Sequence, residues 1–378
     1  MTDTTFSKQE LARYARHFAL PDFGIEGQKK LKNSRVLVVG AGGLGCPVLL
    51  YLAAAGVGHI GIIDGDVVDD SNLQRQVLYA VADVGKFKAI AAKERLLLMN
   101  PHIDIQAFTY HLTSENALDI ISKYDVVADG TDNFPTRYLV NDACVLTGKV
   151  NVYASIFRFE GQISVFNLIQ NNSERGVNYR DIFPTPPPAG LIPNCAEGGV
   201  LGVLPGIIGS MQASEVIKIL TNIGEPLSGR LFLFDAQTFT AKSLKIKKNP
   251  HYEPIKQLID YDIFCGVKTI TIPEISVAEL KQMQAQNIDF QLIDVREPYE
   301  YAVSNIGAIL YPLSILPEKA VFLSKKTPIV VHCQSGTRSA KAVAELQKLG
   351  FDNAVSLKGG IKVYLENNQK PSKNHIRP

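Results

Sequence analysis

Short, mostly apolar runs alternate with longer stretches of helical periodicity along the first part of the chain. The runs are rich in β-branched side chains and cover residues 36–39, 59–63, 103–108, 124–128 and 150–154. Runs of this length are typical of buried strands in a parallel sheet, and the stretches between them are long enough to be helices. The pattern therefore predicts an α/β fold with a Rossmann-like doubly wound sheet.

A glycine cluster follows the first of these runs and gives the sequence V-L-V-V-G-A-G-G-L-G. Gly40, Gly42 and Gly45 fit the spacing G-x-G-x-x-G, with Gly43 between them. Bare backbone in such a turn lets a phosphate approach closely, and the free N–H groups of the next helix point at it. The second run ends in Asp64, at about the distance at which an acidic side chain meets a ribose hydroxyl. We expect a nucleotide site here, and a glycine-rich structural turn is the alternative.

Two polar stretches carry candidate ligands for phosphates and a metal ion. Residues 65–76 read G-D-V-V-D-D-S-N-L-Q-R-Q, and residues 129–133 read D-G-T-D-N directly after a predicted strand. Acidic groups at the carboxyl end of a parallel strand lie where open α/β sheets bind ligands, so Asp129 and Asp132 could hold Mg²⁺. The alternatives are an ordinary polar loop for the first stretch and helix N-capping by Asp132 or Asn133 for the second.

Composition narrows the class of protein. The chain has 378 residues, of which 46% are hydrophobic and 20% charged, as expected for two or three globular domains. The formal net charge of +2 gives no reason to expect nucleic acid or a membrane as a partner. No run reaches transmembrane length, and residues 1–20 lack the apolar core of a signal peptide. The five cysteines are scattered and odd in number, which favours reduced thiols and a cytoplasmic protein.

A different motif lies near the end of the chain. A predicted strand at 327–332 runs into C-Q-S-G-T-R-S, which begins at Cys333 and precedes a predicted helix. N–H groups and the helix dipole stabilise a thiolate at such a position, so we expect the pKa of Cys333 to fall to about 3.5–7.5. A cysteine phosphatase is the rival interpretation, but its loop has five residues between Cys and Arg, whereas four separate Cys333 from Arg338 here. The shorter loop suits one sulfur atom better than a phosphate.

The motifs of the first part together resemble those of the MoeB/ThiF family, relatives of ubiquitin-activating enzymes. They are G-A-G-G-L-G, D-G-D-x-V-x-x-S-N-L-x-R-Q, V-G-x-x-K and D-G-T-D-N, within a match that spans residues 7–246. The resemblance implies that the enzyme adenylates the C-terminal glycine of a small ubiquitin-like sulfur carrier of the MoaD/ThiS type, which ends in Gly-Gly. ATP and Mg²⁺ would be its cofactors.

The resemblance also implies roles for individual residues. The residues that would contact ATP or its phosphates are Gly42, Asp64, Asn72, Arg75 and Lys88. Asp132 would hold the metal ion. Arg16 resembles a family arginine that reaches the phosphates from the neighbouring subunit, which implies a homodimer.

Two further expectations concern cysteine. Cys195 ends the proline-rich stretch 182–195, at a place where some family members carry a cysteine proposed to join the carrier covalently. A small buried residue is an equally good interpretation of Cys195. Many relatives also carry two C-x-x-C pairs that bind zinc, but residues 177–183 and 248–254 contain no cysteine. We therefore expect no structural zinc.

The last part of the chain, with I-D-V-R-E, the Cys333 loop and a Gly-Gly pair, resembles a smaller α/β rhodanese domain. That resemblance implies a persulfide on Cys333, surrounded by the loop amides and Arg338. We accordingly predict an adenylyltransferase domain at 1–246, a linker at 247–269 and a sulfurtransferase domain at 270–378. The carrier would leave as a thiocarboxylate, with sulfur from a donor such as a cysteine desulfurase.

Two other whole-chain interpretations stay open at this stage. One is an NAD-dependent oxidoreductase with a regulatory rhodanese-like module, and the other is a scaffold that binds a carrier without activating it. The sequence does not choose between molybdenum cofactor (molybdopterin) biosynthesis, thiamine biosynthesis and a related sulfur pathway.

Overall fold

The computed structural model describes residues 6–170, 173–188, 199–251, 254–268 and 272–369. These residues form two compact units, and the division between the units falls after Lys268.

The described part of the first unit contains one sheet of eight strands in the order β3-β2-β1-β4-β5-β6-β7-β8. Neighbours from β3 to β5 are parallel, and neighbours from β5 to β8 are antiparallel. The strands are β1 (Arg35–Val39), β2 (His59–Ile63), β3 (Asp104–Phe108), β4 (Val126–Asp129), β5 (Val150–Phe157), β6 (Glu160–Phe166), β7 (Arg230–Asp235) and β8 (Thr240–Lys245). The Rossmann-like doubly wound sheet is therefore confirmed.

Helices cover both faces of this sheet. They are α1 (Lys8–Arg13), α2 (Ala15–Phe18), α3 (Gly24–Asn33), α4 (Gly45–Ala55), α5 (Lys88–Met99), α6 (Ala117–Ser122), α7 (Phe134–Thr147), α8 (Tyr179–Ile182), α9 (Leu204–Thr221) and α10 (Tyr261–Phe264).

The central strand β1 shows how the apolar pattern produces this layering. Successive side chains of a strand point to opposite faces, so a continuous apolar run fills two cores at once. Val36 and Val38 pack in the same cluster as Leu52 of α4. Leu37 and Val39 pack on the other face, in a cluster that includes Tyr138 of α7.

The segment predicted as a linker, 247–269, differs from that expectation where the structure describes it. Tyr261 and Cys265 are buried in the core of the first unit. The Tyr261 hydroxyl donates a hydrogen bond to Asp142 over 2.7 Å, and the Asn249 N–H donates to Asp181 over 2.8 Å. The apolar residues of this segment are too irregularly spaced to predict an element, and only tertiary packing gives them partners. The segment up to residue 268 thus belongs to the first unit.

A buried ion pair lies in the first of the two segments that lack the expected cysteines. Arg180 of α8 pairs with Asp142 at 2.6 Å, and both side chains are less than a tenth exposed. The guanidinium also lies over the rings of Tyr138 and Phe264, at 4.9 and 4.6 Å from their centroids. Cys265 lies nearby, and burial raises the pKa of its thiol to about 11. The absence of structural zinc stays a prediction, but a polar and aromatic network holds this region together.

The described part of the second unit contains a smaller sheet of five parallel strands in the order β11-β10-β12-β13-β9. The strands are β9 (Glu274–Ile275), β10 (Gln291–Asp294), β11 (Ile309–Leu310), β12 (Ile329–His332) and β13 (Ala354–Leu357). The helices are α11 (Val277–Ala285), α12 (Pro298–Val303), α13 (Leu316–Lys319), α14 (Thr337–Lys348) and α15 (Gly360–Gln369). Ile293 and Val331 face one core, whereas Leu292 and Val330 face the other.

Within the ranges that the structure describes, none of the helices combines the length and the apolar character needed to cross a membrane.

Candidate active sites

The turn between β1 and α4 depends on glycine at two positions. Gly40 has a φ of +88°, and a side chain there would also lie 3.1 Å from the carbonyl oxygen of Gly130. At Gly45 an added Cβ would collide with the carbonyl oxygen of Gly40, because the turn closes on itself. Gly42 differs, since the nearest atom to its added Cβ is the Gln76 amide nitrogen at 3.7 Å. The turn therefore presents bare backbone on its open side.

This turn borders a cleft of about 580 Å³ at the carboxyl ends of β1, β2 and β4, a volume ordinary for a small-molecule site. The strand order reverses between β1 and β4, which is where open α/β sheets bind nucleotides. The predicted site residues that line the cleft are Gly40, Gly42, Gly43, Asp64, Asn72, Arg75, Lys88 and Asp132.

Three site residues predicted for the first unit are not among the described residues that line the cleft. Gly45 is buried at the start of α4, under the turn. Arg16 lies exposed on α2. Cys195 lies outside the described residues.

Asp64 holds the glycine turn through one carboxylate oxygen and its own loop through the other. One oxygen accepts a hydrogen bond from the Ala41 N–H, and the other accepts from the Asp66 N–H, each over 2.8 Å. Burial raises the pKa of Asp64, although the Lys88 charge and these two N–H groups oppose the change. The acid at the end of β2 therefore supports the turn in this structure, and its contact with a ribose stays a prediction.

Lys88 brings a nearly buried ammonium group to the cleft. Its side chain is 8% exposed, and Nζ lies 2.9 Å from a carboxylate oxygen of Asp66. The Tyr79 hydroxyl donates to the carbonyl oxygens of Ala41 and Lys88, over 2.7 and 3.3 Å. One tyrosine thus ties the start of α5 to the glycine turn, which fixes where Lys88 enters the cleft.

The two aspartates of the D-G-T-D-N motif lie in different environments. Asp129 is fully buried and accepts hydrogen bonds from the Thr131 N–H and hydroxyl, over 3.0 and 2.6 Å. Burial raises the pKa of Asp129 to about 6, against the lowering effect of Arg137 and Thr131. Asp132 is exposed on the cleft wall. Asn133 caps α7 by accepting from the Thr136 N–H over 2.9 Å, so the N-capping alternative applies to Asn133 and not to Asp132.

Arg137 is a cleft residue that the sequence interpretation missed. It is 7% exposed, and its guanidinium lies over the rings of Phe134 and Tyr153, at 5.6 and 5.3 Å from their centroids. One of its terminal nitrogens donates to the Thr131 carbonyl oxygen over 3.1 Å, while its Nε has no hydrogen-bond partner among the described residues. The available signal was an arginine in the first turns of a helix that otherwise buries its side chains.

In the second unit, the loop after β12 places backbone N–H groups around a sulfur atom. The Cys333 sulfur accepts hydrogen bonds from the N–H groups of Gly336 and Ser339, over 3.2 and 3.3 Å. The residue is 1% exposed. Burial alone would raise the pKa of the thiol, but hydrogen bonds from Ser339, Ser335 and Gly336 outweigh it, so the pKa is lowered. The direction agrees with an activated thiolate.

The Gly-Gly pair lets the start of α15 approach the backbone of the Cys333 loop closely. Gly359 and Gly360 have φ values of +75° and +63°, and a side chain at Gly360 would collide with the Cys333 carbonyl oxygen. The next two N–H groups, of Ile361 and Lys362, donate to the carbonyl oxygens of Cys333 and Gln334 over 2.8 and 3.2 Å. The start of α15 therefore anchors the base of the loop.

Arg338 was expected to surround the sulfur together with the loop amides, but in this structure its guanidinium is paired with a carboxylate. Arg338 forms two hydrogen bonds with the carboxylate of Glu300, over 2.6 and 2.7 Å. Arg296, from the I-D-V-R-E motif, is buried and pairs with Asp294 at 2.7 Å. Its other terminal nitrogen lies 3.3 Å from the side-chain oxygen of Gln334, so Arg296 supports the loop from the side.

The comparisons with known proteins find relatives of both units. The model of the ThiF family matches residues 14–254, and the model of the rhodanese-like domain matches residues 276–367. The chain belongs to the ThiF family. A probable adenylyltransferase/sulfurtransferase MoeZ from Mycobacterium tuberculosis is 48% identical over 375 residues, which cover 97% of this chain and 95% of that protein.

Two further relatives cover one or both units. A sulfur carrier protein adenylyltransferase from Thermus thermophilus is 51% identical over 269 residues, covering 70% of this chain and 99% of that protein. An adenylyltransferase and sulfurtransferase MOCS3 from Drosophila grimshawi is 42% identical over 384 residues, covering 95% of this chain and 84% of that protein.

Solved structures support the fold of the first unit. E. coli MccB with MccA-N7isoASN is 23% identical, with a TM-score of 0.56, and covers 66% of this chain and 75% of that chain. The relatives described above show that the chain is an enzyme, an adenylyltransferase and sulfurtransferase. The oxidoreductase and scaffold interpretations are therefore set aside.

Proposed function

We propose that the first unit uses ATP to adenylate the C-terminal glycine of a small ubiquitin-like sulfur carrier ending in Gly-Gly. The second unit then supplies persulfide sulfur from Cys333, so that the carrier leaves as a thiocarboxylate. The observation that carries this proposal is one cleft that unites a bare glycine turn with Asn72, Arg75, Lys88 and Asp132. The Thermus thermophilus relative, named a sulfur carrier protein adenylyltransferase, supports a carrier as substrate.

The residues of the cleft suit attack of a carboxylate on the α-phosphate of ATP. A bond forms between the carboxylate oxygen and the α-phosphorus, and pyrophosphate leaves with the bonding pair. Arg75 and Lys88 stabilise the charge that builds up on the phosphates. No general base is required, because a glycine carboxylate is already ionised at neutral pH.

We propose that Mg²⁺ binds in the same cleft. The exposed carboxylate of Asp132 is the type of ligand that Mg²⁺ combines with substrate phosphates, whereas Asp129 is enclosed and bonded to Thr131. A bound Mg²⁺ would neutralise phosphate charge. Lys88 would then exchange its bond with Asp66 for one with a phosphate oxygen.

In the second half of the reaction the outer sulfur of a Cys333 persulfide attacks the acyl-adenylate. A carbon–sulfur bond forms and AMP leaves. Release of the thiocarboxylate then requires a second thiol, which forms a disulfide with Cys333 as the bond between the two sulfurs breaks. Cys195 is the candidate for a covalent bond to the carrier, and a cysteine desulfurase is the candidate sulfur donor. Molybdenum cofactor and thiamine biosynthesis are the candidate pathways, in a reducing compartment such as the cytoplasm.

Exchange of labelled pyrophosphate into ATP tests the adenylation step. The purified chain should catalyse exchange that depends on a small protein ending in Gly-Gly and on Mg²⁺. The same carrier with its last glycine removed is the matched control and should support none. Exchange without any carrier, or with the truncated one, would contradict the proposed substrate.

We also propose a homodimer in which Arg16 serves the cleft of the partner subunit. The support is that Arg16 lies exposed on α2 and is not among the described residues that line its own cleft. Mixed dimers of Arg16→Ala and Asp132→Ala chains should recover part of the exchange activity, because one of the two clefts is then complete. Mixed dimers that recover none would refute the shared site.

A further inference from the structure

The loop that surrounds Cys333 carries one charged side chain. Residues 333–339 read C-Q-S-G-T-R-S, so Arg338 is the only basic side chain that the loop sequence offers to an incoming sulfur donor. A guanidinium beside a reactive sulfur is a natural ligand for an anion, because its N–H groups can bind two oxygens at once.

Those N–H groups are already occupied. Glu300, at the start of α12, accepts from both terminal nitrogens of Arg338 over 2.6 and 2.7 Å. The hydrogen bonds from Arg338 lower the pKa of Glu300 to about 2. Glu300 also accepts from the Glu297 N–H over 3.1 Å, which fixes its carboxylate on α12.

The pair nevertheless lies within reach of a donor. The side chains of Arg338 and Glu300 are 35% and 17% exposed. Arg338 directly precedes Ser339, whose N–H donates to the Cys333 sulfur over 3.3 Å, so Arg338 belongs to the loop that an incoming donor approaches. Glu300 raises the pKa of Arg338 most, and the Cys333 charge raises it as well. Any anion that approaches Cys333 therefore meets a cation whose charge is cancelled by its neighbour.

We propose that Glu300 is a specificity-determining residue of the sulfurtransferase site, which disfavours doubly charged sulfur donors and favours a persulfide carried on a cysteine thiol. This inference rests on the proposed sulfur transfer by Cys333. By pairing with Arg338, Glu300 withholds the charge that a dianion would need on entering a buried site.

The two donor classes differ in charge but not in the bond that changes. With a thiol persulfide, the Cys333 thiolate attacks the outer sulfur, the bond between the two donor sulfurs breaks, and its electron pair leaves on the donor thiolate. With thiosulfate, the same attack on the outer sulfur expels sulfite. Each reaction leaves one persulfide on Cys333 and consumes no oxidant or reductant.

Two synthetic donors of similar shape isolate the effect of charge. Thiosulfate is a dianion and methanethiosulfonate a monoanion, and both give thiocyanate when cyanide accepts the sulfur. In the full-length chain, Glu300→Gln should raise kcat/KM by about tenfold for thiosulfate and about threefold for methanethiosulfonate, because one uncancelled charge acts more strongly on a dianion. The thiosulfate gain should shrink at high salt.

The control is Glu300→Gln in a protein that lacks the Arg338 charge. In an Arg338→Gln background, Glu300→Gln should leave the ratio of the two kcat/KM values unchanged, as a double-mutant cycle requires if Glu300 acts through Arg338. Glutamine keeps an oxygen for the Glu297 N–H, and thermal melting checks that the unit stays folded.

Each result has a separate meaning. If Glu300→Gln lowers both donors equally in a folded protein, the pair is a structural support and the specificity role is wrong. If Glu300→Gln changes the ratio of the two kcat/KM values by the same factor in the Arg338→Gln background, Glu300 does not act through Arg338. If the wild-type chain forms no thiocyanate from either donor, the sulfurtransferase proposal itself fails, and this inference fails with it.

Discussion

The two units each place a glycine-containing turn between a buried parallel strand and a helix, and each turn is accompanied by a cysteine. In the first unit the turn joins β1 to α4, and Cys46 follows it. In the second the turn joins β12 to α14, and Cys333 begins it. Gly40 and Gly336 supply the positive φ values, +88° and +101°. The local architecture is thus shared, and the chemistry is not.

The difference lies in where the N–H groups point. The Cys46 thiol is itself a donor, to the Ala41 carbonyl oxygen over 3.5 Å, and burial raises its pKa to about 12. The Cys333 sulfur instead accepts from the N–H groups of Gly336 and Ser339, and its pKa is lowered. A cysteine near a helix start is therefore not activated by that position alone. The amides must be aimed at the sulfur.

The two sites also differ in where the groups that could act on a ligand come from. The first turn leaves the side of Gly42 open, and the groups that could act on a ligand come from other elements around the cleft. In the second site, N–H groups of the turn itself surround the Cys333 sulfur. Because the two sites share no residue, a substitution in one site should leave the activity of the other unchanged.

The largest expected effect is a clean separation of the two activities. Cys333→Ala should abolish sulfur transfer from thiosulfate to cyanide, because no other described thiol has a lowered pKa, and should leave carrier-dependent ATP–pyrophosphate exchange nearly intact. Asp132→Ala should do the reverse.

Cys46→Ala is the matched control, since it removes the thiol from the other turn. It should retain both activities and lose about 1 kcal/mol of stability, as small buried deletions do. Full thiosulfate activity in the Cys333→Ala protein would overturn the assignment of the nucleophile.

A second prediction concerns the two kinds of glycine in the first turn. Gly45→Ala should abolish exchange and lower the melting temperature of the first unit, because the added Cβ collides with the Gly40 carbonyl oxygen. Gly42→Ala has space for its Cβ and should melt normally, but its methyl group stands on the ligand side and should weaken nucleotide binding by about tenfold. Melting curves and nucleotide titrations distinguish the two. Equal effects in both assays would show that the turn has only a structural role.

The sequence predicted much of both sites because backbone motifs carry their own geometry. The glycine turn, Asp64 and the Cys333 loop each follow a strand whose apolar run is visible without any tertiary information. Contacts between distant residues were not visible. Glu300 and Arg338 are 38 positions apart, and the pairing of Arg180 with Asp142 likewise spans 38 positions. No local pattern specifies such partners.

Two other features needed the tertiary structure. Arg137 lies on a helix that buries most of its side chains, so its opening towards the cleft depends on how α7 packs. The segment 247–269 has the composition of a linker, yet Tyr261 finds a buried carboxylate on α7. In both cases the partner, not the residue type, decides the role.

A third prediction uses the buried arginine of the first unit. Arg180→Ala leaves the Asp142 carboxylate buried without its cation, and should lower the free energy of unfolding of the first unit by about 3–5 kcal/mol. Sulfur transfer by the second unit should not change. Denaturant unfolding, with metal analysis of the wild-type protein, checks both this network and the expected absence of zinc. Near-stoichiometric zinc, or an unchanged stability of Arg180→Ala, would contradict the account of this region.

The smallest predicted effect tests the hydrogen bonds at Cys333 directly. The Ser339 side chain contributes to the lowered pKa of Cys333, and its Oγ lies 3.7 Å from the sulfur. The thiolate fraction falls as pH drops through the pKa, so the acid limb of the rate profile marks that pKa. Ser339→Ala should raise the pKa of Cys333 and move this limb to higher pH by about half a unit. One pKa unit corresponds to about 1.4 kcal/mol, so the expected shift is the loss of one weak hydrogen bond.

Stability should follow the same sign. A thiol whose pKa is lowered by folding stabilises the folded state above the ordinary thiol pKa, and loses this contribution as pH falls through the lowered value. The profile is best measured as sulfite released from thiosulfate in a single turnover, so that the ionisation of cyanide does not enter. Ser335→Ala is the control, because Ser335 contributes through its backbone N–H, which the substitution keeps. If both serine variants shift the limb equally, the hydroxyl of Ser339 has no specific role, and the backbone N–H groups alone account for the activated thiol.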